Sequence, residues 1–141
     1  MRISDILRRK GHQVATVTPD TTVRDLLAVL AERNIGAVVV VAGGEIAGIA
    51  SERDVVRRLH ERGTGLLADP VDSIMTREVR TCAPSDHIEW LRPVMTEHRI
   101  RHVPVVDEGR LVGIVSIGDV VKSAIDQLET EREALVAYVQ S

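Results

Sequence analysis

The hydrophobic and polar positions of this chain follow one pattern twice, and the second copy begins 65 residues after the first. Pro19 aligns with Pro84, and the alignment continues without a gap until Val56 meets Val121. A repeat this long is not a short solenoid unit, which favours a duplicated structural module. We therefore expect two copies that face each other and create a paired cleft.

The first copy reads as a short strand, a helix, two strands and a second helix. Val23, Leu26 and Leu30 recur at helical spacing, and Asn34 supplies a natural helix stop. The β-branched run at 37–41 is typical of a buried strand, and the two glycines at 43–44 predict a tight turn. The predicted elements are a strand at 15–17, a helix from 23 to about 34, strands at 37–41 and 46–50, and a helix at 52–62.

The second copy repeats this plan, so the predicted fold class is α/β, built from two β-α-β-β-α units. Its predicted elements are a strand at 80–82, a helix from 88 to about 98, strands at 102–106 and 111–115 joined by a turn at 107–109, and a helix from about 118. Short lead-in helices at 3–7 and 71–75 echo each other at an offset of 68. We expect repeat 1 at 1–68, repeat 2 at 69–126 and a C-terminal helical extension at 127–141.

Two features of the second copy differ from the first. Pro93 lies inside the predicted helix, where it removes a hydrogen bond and should kink the helix. The terminal helix carries apolar residues to its end, including Val121, Leu128 and Leu135, at mixed three- and four-residue steps. Such a stripe needs burial, either against its own domain or in a dimer contact.

Composition limits the functions that this chain can perform. With 141 residues the chain has the length of one domain, so we expect the two copies to share one core. Aromatic residues are 1% of the chain and the net charge is −3, which disfavours base stacking and binding to phosphate polymers. Cys82 is the single cysteine, and no signal peptide or membrane span is recognisable, so a reducing cytoplasmic location is the simplest expectation.

Both copies carry the pattern Gly-h-h-Ser-x-x-Asp, where h is apolar, at a strand-to-helix junction. The two instances run from Gly48 to Asp54 and from Gly113 to Asp119. An Asp in the first turn can accept two hydrogen bonds from a ribose 2′,3′-diol, and the helix N-terminus suits a phosphate. The alternative is ordinary helix capping by Ser and Asp, which needs no ligand.

The two motifs, together with Arg101-His102-Val103-Pro104-Val105-Val106-Asp107, resemble a tandem pair of CBS domains, the module named after cystathionine β-synthase. The resemblance extends from about residue 3 to 124. It implies a pseudo-two-fold CBS pair, or Bateman module, with clefts between the repeats that bind AMP, ADP, ATP, S-adenosylmethionine or NAD-type ligands. It also implies a stand-alone sensor, not a catalyst, that forms a homodimer.

The resemblance further implies which residues line each cleft. Apolar strand segments would hold the adenine, and basic residues that differ between the copies would contact the phosphate. The alternatives are plain core for the apolar residues, and for Arg53 and Arg101 a solvated face or salt bridges to Glu52 and Glu97. The candidate ligand-binding residues are Thr16, Ile35, Gly36, Ala37, Val38, Ser51, Arg53 and Asp54 in one site, and Thr81, Arg99, Arg101, His102, Val103, Pro104, Ser116, Gly118 and Asp119 in the other.

The leading hypothesis is an adenine-nucleotide-binding regulatory module whose two sites differ in affinity or ligand. The runner-up is a ligand-independent interaction or dimerisation module, and a weak third is a nucleic-acid-responsive factor that uses the basic residues at 8–10 and 57–58. No residue spacing indicates a metal site, a Walker loop or an acid/base pair, so we expect no cofactor and no catalysis. Under the leading hypothesis, a regulated partner protein or the dimer interface would respond to ligand binding.

Overall fold

The computed structural model describes residues 1–141 and contains five α-helices and five strands. Two 3₁₀ helices, Gly63–Ala68 and Val71–Ser73, connect the copies. The elements in chain order are α1 (Ile3–Lys10), β1 (Thr16–Val17), α2 (Val23–Arg33), β2 (Ala37–Ala42), β3 (Glu45–Ser51), α3 (Glu52–Arg62), α4 (Ile88–His98), β4 (His102–Asp107), β5 (Arg110–Ser116) and α5 (Ile117–Gln140).

The duplication extends to details of the backbone. Helices α2 and α4 both end at a residue with left-handed φ, Asn34 and Arg99, which correspond in the repeat. Both hairpins shift register at the same point, between residues 40 and 41 and between 105 and 106. The two hairpin turns also place both central residues at positive φ, at 43–44 and at 108–109, a conformation that matches the twist of the flanking strands. The α/β fold class predicted from the sequence is therefore confirmed.

The strand predicted at 80–82 is reduced to a single parallel bridge between Cys82 and Val105. In the first copy the corresponding strand, β1, pairs with β2, and the amide of Val39 donates to the carbonyl of Ala15 at 3.2 Å. The residue that corresponds to Val39 is Pro104, which has no amide hydrogen. The second copy therefore lacks this hydrogen bond, and its sheet contains only β4 and β5.

The chain divides into two compact units, one of residues 13–80 and one of residues 1–12 with 81–141. This division differs from the repeat boundaries along the chain because α1 packs with the second copy. The amides of Ile3 and Ser4 donate to the carbonyls of Asp86 and Pro84, each at 2.9 Å. In the other unit, the amides of Val71 and Asp72 make the corresponding bonds to residues 21 and 19. Each lead-in segment thus completes the unit of the other repeat.

Each unit has its own hydrophobic core, so the expectation of one shared core is wrong. The core of residues 13–80 is built around β2, α2 and the segment 66–75, and that of the other unit around α1, α4, β4 and β5. Neither core contains an aromatic residue. Exchange of the lead-in segments supplies each core with three or more buried residues from outside its own repeat, such as Ile3, Ile6 and Leu7.

The glycine of each motif allows the lead-in segment to approach closely. A β-carbon on Gly48 would lie 2.7 Å from the carbonyl oxygen of Thr76 and 2.8 Å from the sulfur of Met75. A β-carbon on Gly113 would lie 2.6 Å from a terminal methyl of Leu7. Both distances are too short for a real contact, which explains why each motif starts with glycine.

Helix α5 leaves its apolar stripe exposed, which contradicts burial of these residues within their own unit. The exposed fraction is 50% for Val121, 65% for Leu128, 66% for Leu135 and 79% for Val139. Near the start of the helix, Val120 is buried, so the first turns contact the core while the last turns extend beyond it. Helix α4 continues through Pro93 as one helix, and the predicted kink stays a prediction.

Candidate functional site

The N-terminus of α3 is closed by a reciprocal capping box made by Ser51 and Asp54. The amide of Asp54 donates to Ser51 Oγ at 3.3 Å, and the amide of Ser51 donates to Asp54 Oδ2 at 2.9 Å. The hydroxyl of Ser51 also donates to Asp54 Oδ2, at 3.0 Å. The capping role considered from the sequence is therefore present, and it uses one of the two carboxylate oxygens.

The N-terminus of α5 has the same capping box and, in addition, a lysine that donates to its aspartate. Asp119 donates its amide to Ser116 Oγ at 3.1 Å, and Asp119 Oδ2 accepts from the amide of Ser116 at 2.8 Å. Lys10 is a further donor here, with its Nζ 2.6 Å from Asp119 Oδ2. A cation is thus held at one of the two corresponding helix starts.

Capping leaves further binding capacity at both helix starts. The recorded bonds to Asp54 and Asp119 all end on Oδ2, so Oδ1 remains available as an acceptor. The amide of the second helical residue, Arg53 or Gly118, is among those for which a helix has no internal acceptor. A carboxylate oxygen beside a spare amide at the positive end of a helix offers both an acceptor and a donor to one polar, anionic ligand.

The candidate strand residues lie beside these helix starts. The amide of Glu52 donates to the carbonyl of Gly36 at 3.0 Å, and the amide of Ile117 donates to that of Arg101 at 2.8 Å. The strand pairing sets Ala37 opposite Ser51 and His102 opposite Ser116. The structure therefore brings the segments 35–38 and 101–104 next to the Ser-x-x-Asp motifs, within their respective units.

The candidate residues differ in what they expose. The side chains of Ala37, Val38, Val103 and Pro104 are buried and form part of the cores. Ile35, Gly36, Ser51, Arg53, Asp54, His102, Ser116 and Asp119 are partly exposed, and Thr16, Thr81, Arg99, Arg101 and Gly118 are exposed. Surface contact with a ligand is thus open to the polar and basic candidates, while the four buried residues shape the strands that support them.

Arg53 and Arg101 form no ion pair, so the salt bridges to Glu52 and Glu97 considered from the sequence are absent. The basic run at 8–10 is used differently. Arg8 pairs with Asp5, Arg9 pairs with Asp126, and Lys10 pairs with Asp119. These pairs neutralise the first basic cluster on which the nucleic-acid reading depended.

The pKa of Asp119 reflects opposing influences. Burial acts to raise the pKa, but the hydrogen bonds from Lys10 and from the backbone of Ser116 outweigh burial and lower the pKa below its usual value. Asp119 is therefore ionised at neutral pH, with its charge held between Lys10 and the helix start.

Replacing Asp119 with asparagine should lower the free energy of unfolding by about 1 kcal/mol near neutral pH, because charged hydrogen bonds are lost at a partly exposed site. A carboxyl with a depressed folded pKa stabilises the protein above its unfolded pKa, about 3.9, and loses this contribution as pH falls through the folded value. The difference between wild type and Asp119→Asn should therefore shrink below about pH 4. Urea unfolding over this pH range measures it, and a difference that grows on acidification would contradict the assignment.

The single cysteine of the chain is buried. Burial, aided by the charge of Asp86, raises the pKa of the Cys82 thiol to about 12, so the thiol stays protonated. No group of three or more His, Cys, Asp and Glu side chains is arranged to hold a metal ion. None of the helices combines the length and the apolar character needed to cross a bilayer.

The sequence interpretation missed Lys10 as a site residue. It lies at the end of the lead-in helix, 109 positions before Asp119, and was considered only as part of a basic run. The available signal was the repeat itself, because the 68-residue offset aligns Lys10 with Glu78, an opposite charge. Such a reversal marks a position where the copies differ, but the exchange of lead-in segments was needed to locate it.

Comparison with known proteins gives a consistent result. The family model for the CBS domain matches residues 3–61 and 71–126. The CBS domain-containing protein CBSX3, mitochondrial, of Arabidopsis thaliana is 37% identical over 147 aligned residues, which cover 98% of this chain and 71% of that protein. The crystal structure of the CBS-domain containing protein ATU1752 from Agrobacterium tumefaciens is 42% identical with a TM-score of 0.85, covering 88% of this chain and 99% of that one.

Two more distant solved structures contain ligands. The CBS domain pair of protein MJ0100, in complex with 5′-methylthioadenosine and S-adenosyl-L-methionine, is 25% identical with a TM-score of 0.80 and covers 90% of this chain and 98% of that one. CBSX2 in complex with AMP is 26% identical with a TM-score of 0.70 and covers 89% of this chain and 96% of that one. All three ligands contain adenosine or a 5′-modified form of it.

Proposed function

The chain belongs to the CBS domain family, and on that premise we propose that it is a regulatory module that binds adenine nucleotides rather than an enzyme. One observation carries the proposal: both copies present the same partly exposed Ser-x-x-Asp helix start with a spare carboxylate oxygen. Two related CBS-domain structures contain adenosine-type ligands, which supports the choice of ligand class. A ligand in such a module regulates only through its different affinity for two conformations.

The proposed roles follow from the chemistry of each group. Asp54 and Asp119 accept hydrogen bonds from the ribose hydroxyls through Oδ1, while Ser51 and Ser116 together with the second helical amide face the phosphate. The carbonyls and side chains at 35–38 and 100–104 flank the adenine, with Thr16 and Thr81 beside them. Arg53 and Arg101, which have no ion-pair partner, are available to a phosphate.

The two sites are expected to prefer different ligands or to bind one ligand with different affinity. Their shared groups contact the part that all adenine nucleotides have in common, the ribose. Their unshared groups, Arg53 against Gly118 and Arg101 against Gly36, are the ones that we propose to contact the phosphate. AMP, ADP, ATP, NAD and S-adenosylmethionine all remain candidates.

A thermal-shift screen with these five ligands tests the proposal. A ligand at one hundred times its Kd stabilises the native state by about 2.7 kcal/mol, which raises Tm by several degrees for a chain of this size. We expect at least one adenine nucleotide to raise Tm, whereas the matching guanine nucleotide should raise it less. Absence of any shift in protein freed of co-purified ligand would contradict nucleotide binding.

A second candidate function, dimerisation, is favoured by the exposed apolar stripe of α5. Val121, Leu128 and Leu135 are spaced seven residues apart and therefore lie along one side of the helix. The corresponding start of α3 also exposes an apolar residue, Val56, at 67%. We propose that a second copy of this chain covers the exposed stripe of α5. The stripe is flanked by charges of both signs, including Glu131 and Arg132, and such charges suit a self-complementary contact.

Sedimentation equilibrium should give twice the chain mass of 15.5 kDa for the wild type. Leu128→Glu or Leu135→Glu should weaken the dimer at least about ten-fold, because each inserts a charge into an apolar contact. Gln127→Glu adds the same charge beside the stripe and should leave the dimer intact. A wild type that sediments as a monomer would rule the dimer out.

The cytoplasmic location expected from the sequence stays a prediction.

A further inference from the structure

Helix α1 is fixed in place by apolar contacts and not by its charged end. Ile3, Ile6 and Leu7 are at most 3% exposed. Leu7 packs closely on strand β5, where a β-carbon at position 113 would lie 2.6 Å from one of its terminal methyls. Because burial of three large aliphatic side chains contributes several kcal/mol, α1 stays seated whether or not its last residues are paired. The backbone of Lys10, the final residue of the helix, is therefore held close to the start of α5.

At the start of α5, Lys10 adds a charged donor to the capping box of Ser116 and Asp119. Its ammonium donates to Asp119 Oδ2 at 2.6 Å, in addition to the backbone bonds of the capping box. In the other unit the corresponding hydroxyl, of Ser51, donates to Asp54 at 3.0 Å. No cation pairs with Asp54. The carboxylate of the Asp119 site thus holds an ammonium group, which the carboxylate of the Asp54 site does not.

We propose that Lys10 is a specificity-determining residue of the Asp119 site and favours ligands with a phosphate over ligands with a neutral 5′ group. An ammonium has three hydrogens, and Asp119 uses one, so two remain for a ligand. A ribose held at Asp119 Oδ1 lies within reach of Lys10, because Lys10 Nζ is hydrogen-bonded to Oδ2 of the same carboxylate. This inference rests on the proposed nucleotide-binding function.

The competing interpretation is that Lys10 blocks the site and must leave Asp119 before a ribose can bind. The geometry favours the first interpretation, because Lys10 Nζ is hydrogen-bonded to Oδ2 and leaves Oδ1 of Asp119 to a ribose. The two interpretations predict opposite results for removal of the ammonium, which weakens AMP binding in the first and strengthens it in the second.

Calorimetric titration of the Asp54→Ala protein isolates the Asp119 site. In this background we compare AMP with 5′-methylthioadenosine, which has the same ribose diol and a neutral 5′ group. Lys10→Met should weaken AMP binding about ten-fold, the value of one charged hydrogen bond at a partly exposed site, and change methylthioadenosine binding less than about two-fold. Lys10→Arg should restore most of the AMP affinity. Arg9→Met removes the neighbouring charge, which pairs with Asp126 instead, and should change neither ligand.

Equal weakening of both ligands by Lys10→Met, or tighter binding of either, would overturn the inference. So would AMP binding by the wild type that disappears in Asp54→Ala, because the Asp119 site would then not be an AMP site. Failure of the wild type to bind any adenosine-containing ligand would instead defeat the proposed function itself.

Discussion

Gly48→Ala is expected to destabilise the unit of residues 13–80 by about 3 kcal/mol, near the upper end of the cost of overpacking. The new methyl group would lie 2.7 Å from the carbonyl oxygen of Thr76, which is backbone. This carbonyl accepts a hydrogen bond from the amide of Ile49 at 3.0 Å and cannot retreat without loss of that bond. Urea unfolding monitored by circular dichroism measures the loss.

Gly113→Ala is the matched control, because it makes the same change at the corresponding position of the other repeat. Its nearest contact is a terminal methyl of Leu7, which can rotate away, so a smaller cost of about 1–2 kcal/mol is expected. Met75→Ala in the Gly48→Ala background should recover little, since the carbonyl of Thr76 remains in the way. A neutral Gly48→Ala, or a larger cost for Gly113→Ala, would contradict this account of the close packing.

Asp54→Ala and Asp119→Ala should each weaken AMP binding at one site by about one hundred-fold or more. Each removes two hydrogen bonds between a carboxylate and the ribose, worth about 1.5 kcal/mol apiece, and about 1.4 kcal/mol is a factor of ten in affinity. Titration calorimetry should show that each single variant loses the AMP bound at its own site, and that the double variant binds no AMP.

Loss of the helix cap is a separate effect of these substitutions and needs its own control. Thr22→Ala removes the N-cap of α2, because the hydroxyl of Thr22 accepts a hydrogen bond from the amide of Asp25 at 3.2 Å. It should reduce the free energy of unfolding by about 1 kcal/mol, as the aspartate variants do, and leave AMP binding unchanged. If Thr22→Ala impairs AMP binding as strongly as Asp119→Ala does, the aspartates act through stability and not through contact.

The elements and the candidate site were predictable where the chain uses local signals. The capping residues Ser51 and Ser116, and the β-branched strand at 37–41, predicted helix and strand positions that the structure confirms to within about two residues. The repeat then placed the second helix start at Asp119 once the first was recognised at Asp54. These signals work because capping, turn geometry and strand preference depend on neighbours in sequence.

What the sequence did not reveal depends on contacts between distant segments. The sequence interpretation treated Pro104 only as a site residue. Its effect on the sheet requires the strand pairing, because the hydrogen bond that Val39 donates to Ala15 in the first copy would join Pro104 to Arg80 in the second, and proline has no amide hydrogen. The exchange of the lead-in segments was hidden because 3–7 and 71–75 look alike and either could complete either core. Lys10 was missed for the same reason, since its role exists only after α1 packs on β5.

A crystal structure of this protein grown with AMP tests the central claim most directly, because it locates the ligand rather than counting it. The account predicts the ribose hydroxyls within hydrogen-bond distance of the carboxylate of Asp54 or Asp119, and the phosphate at the start of the same helix. AMP found away from both helix starts, with its ribose on neither carboxylate, would contradict the account.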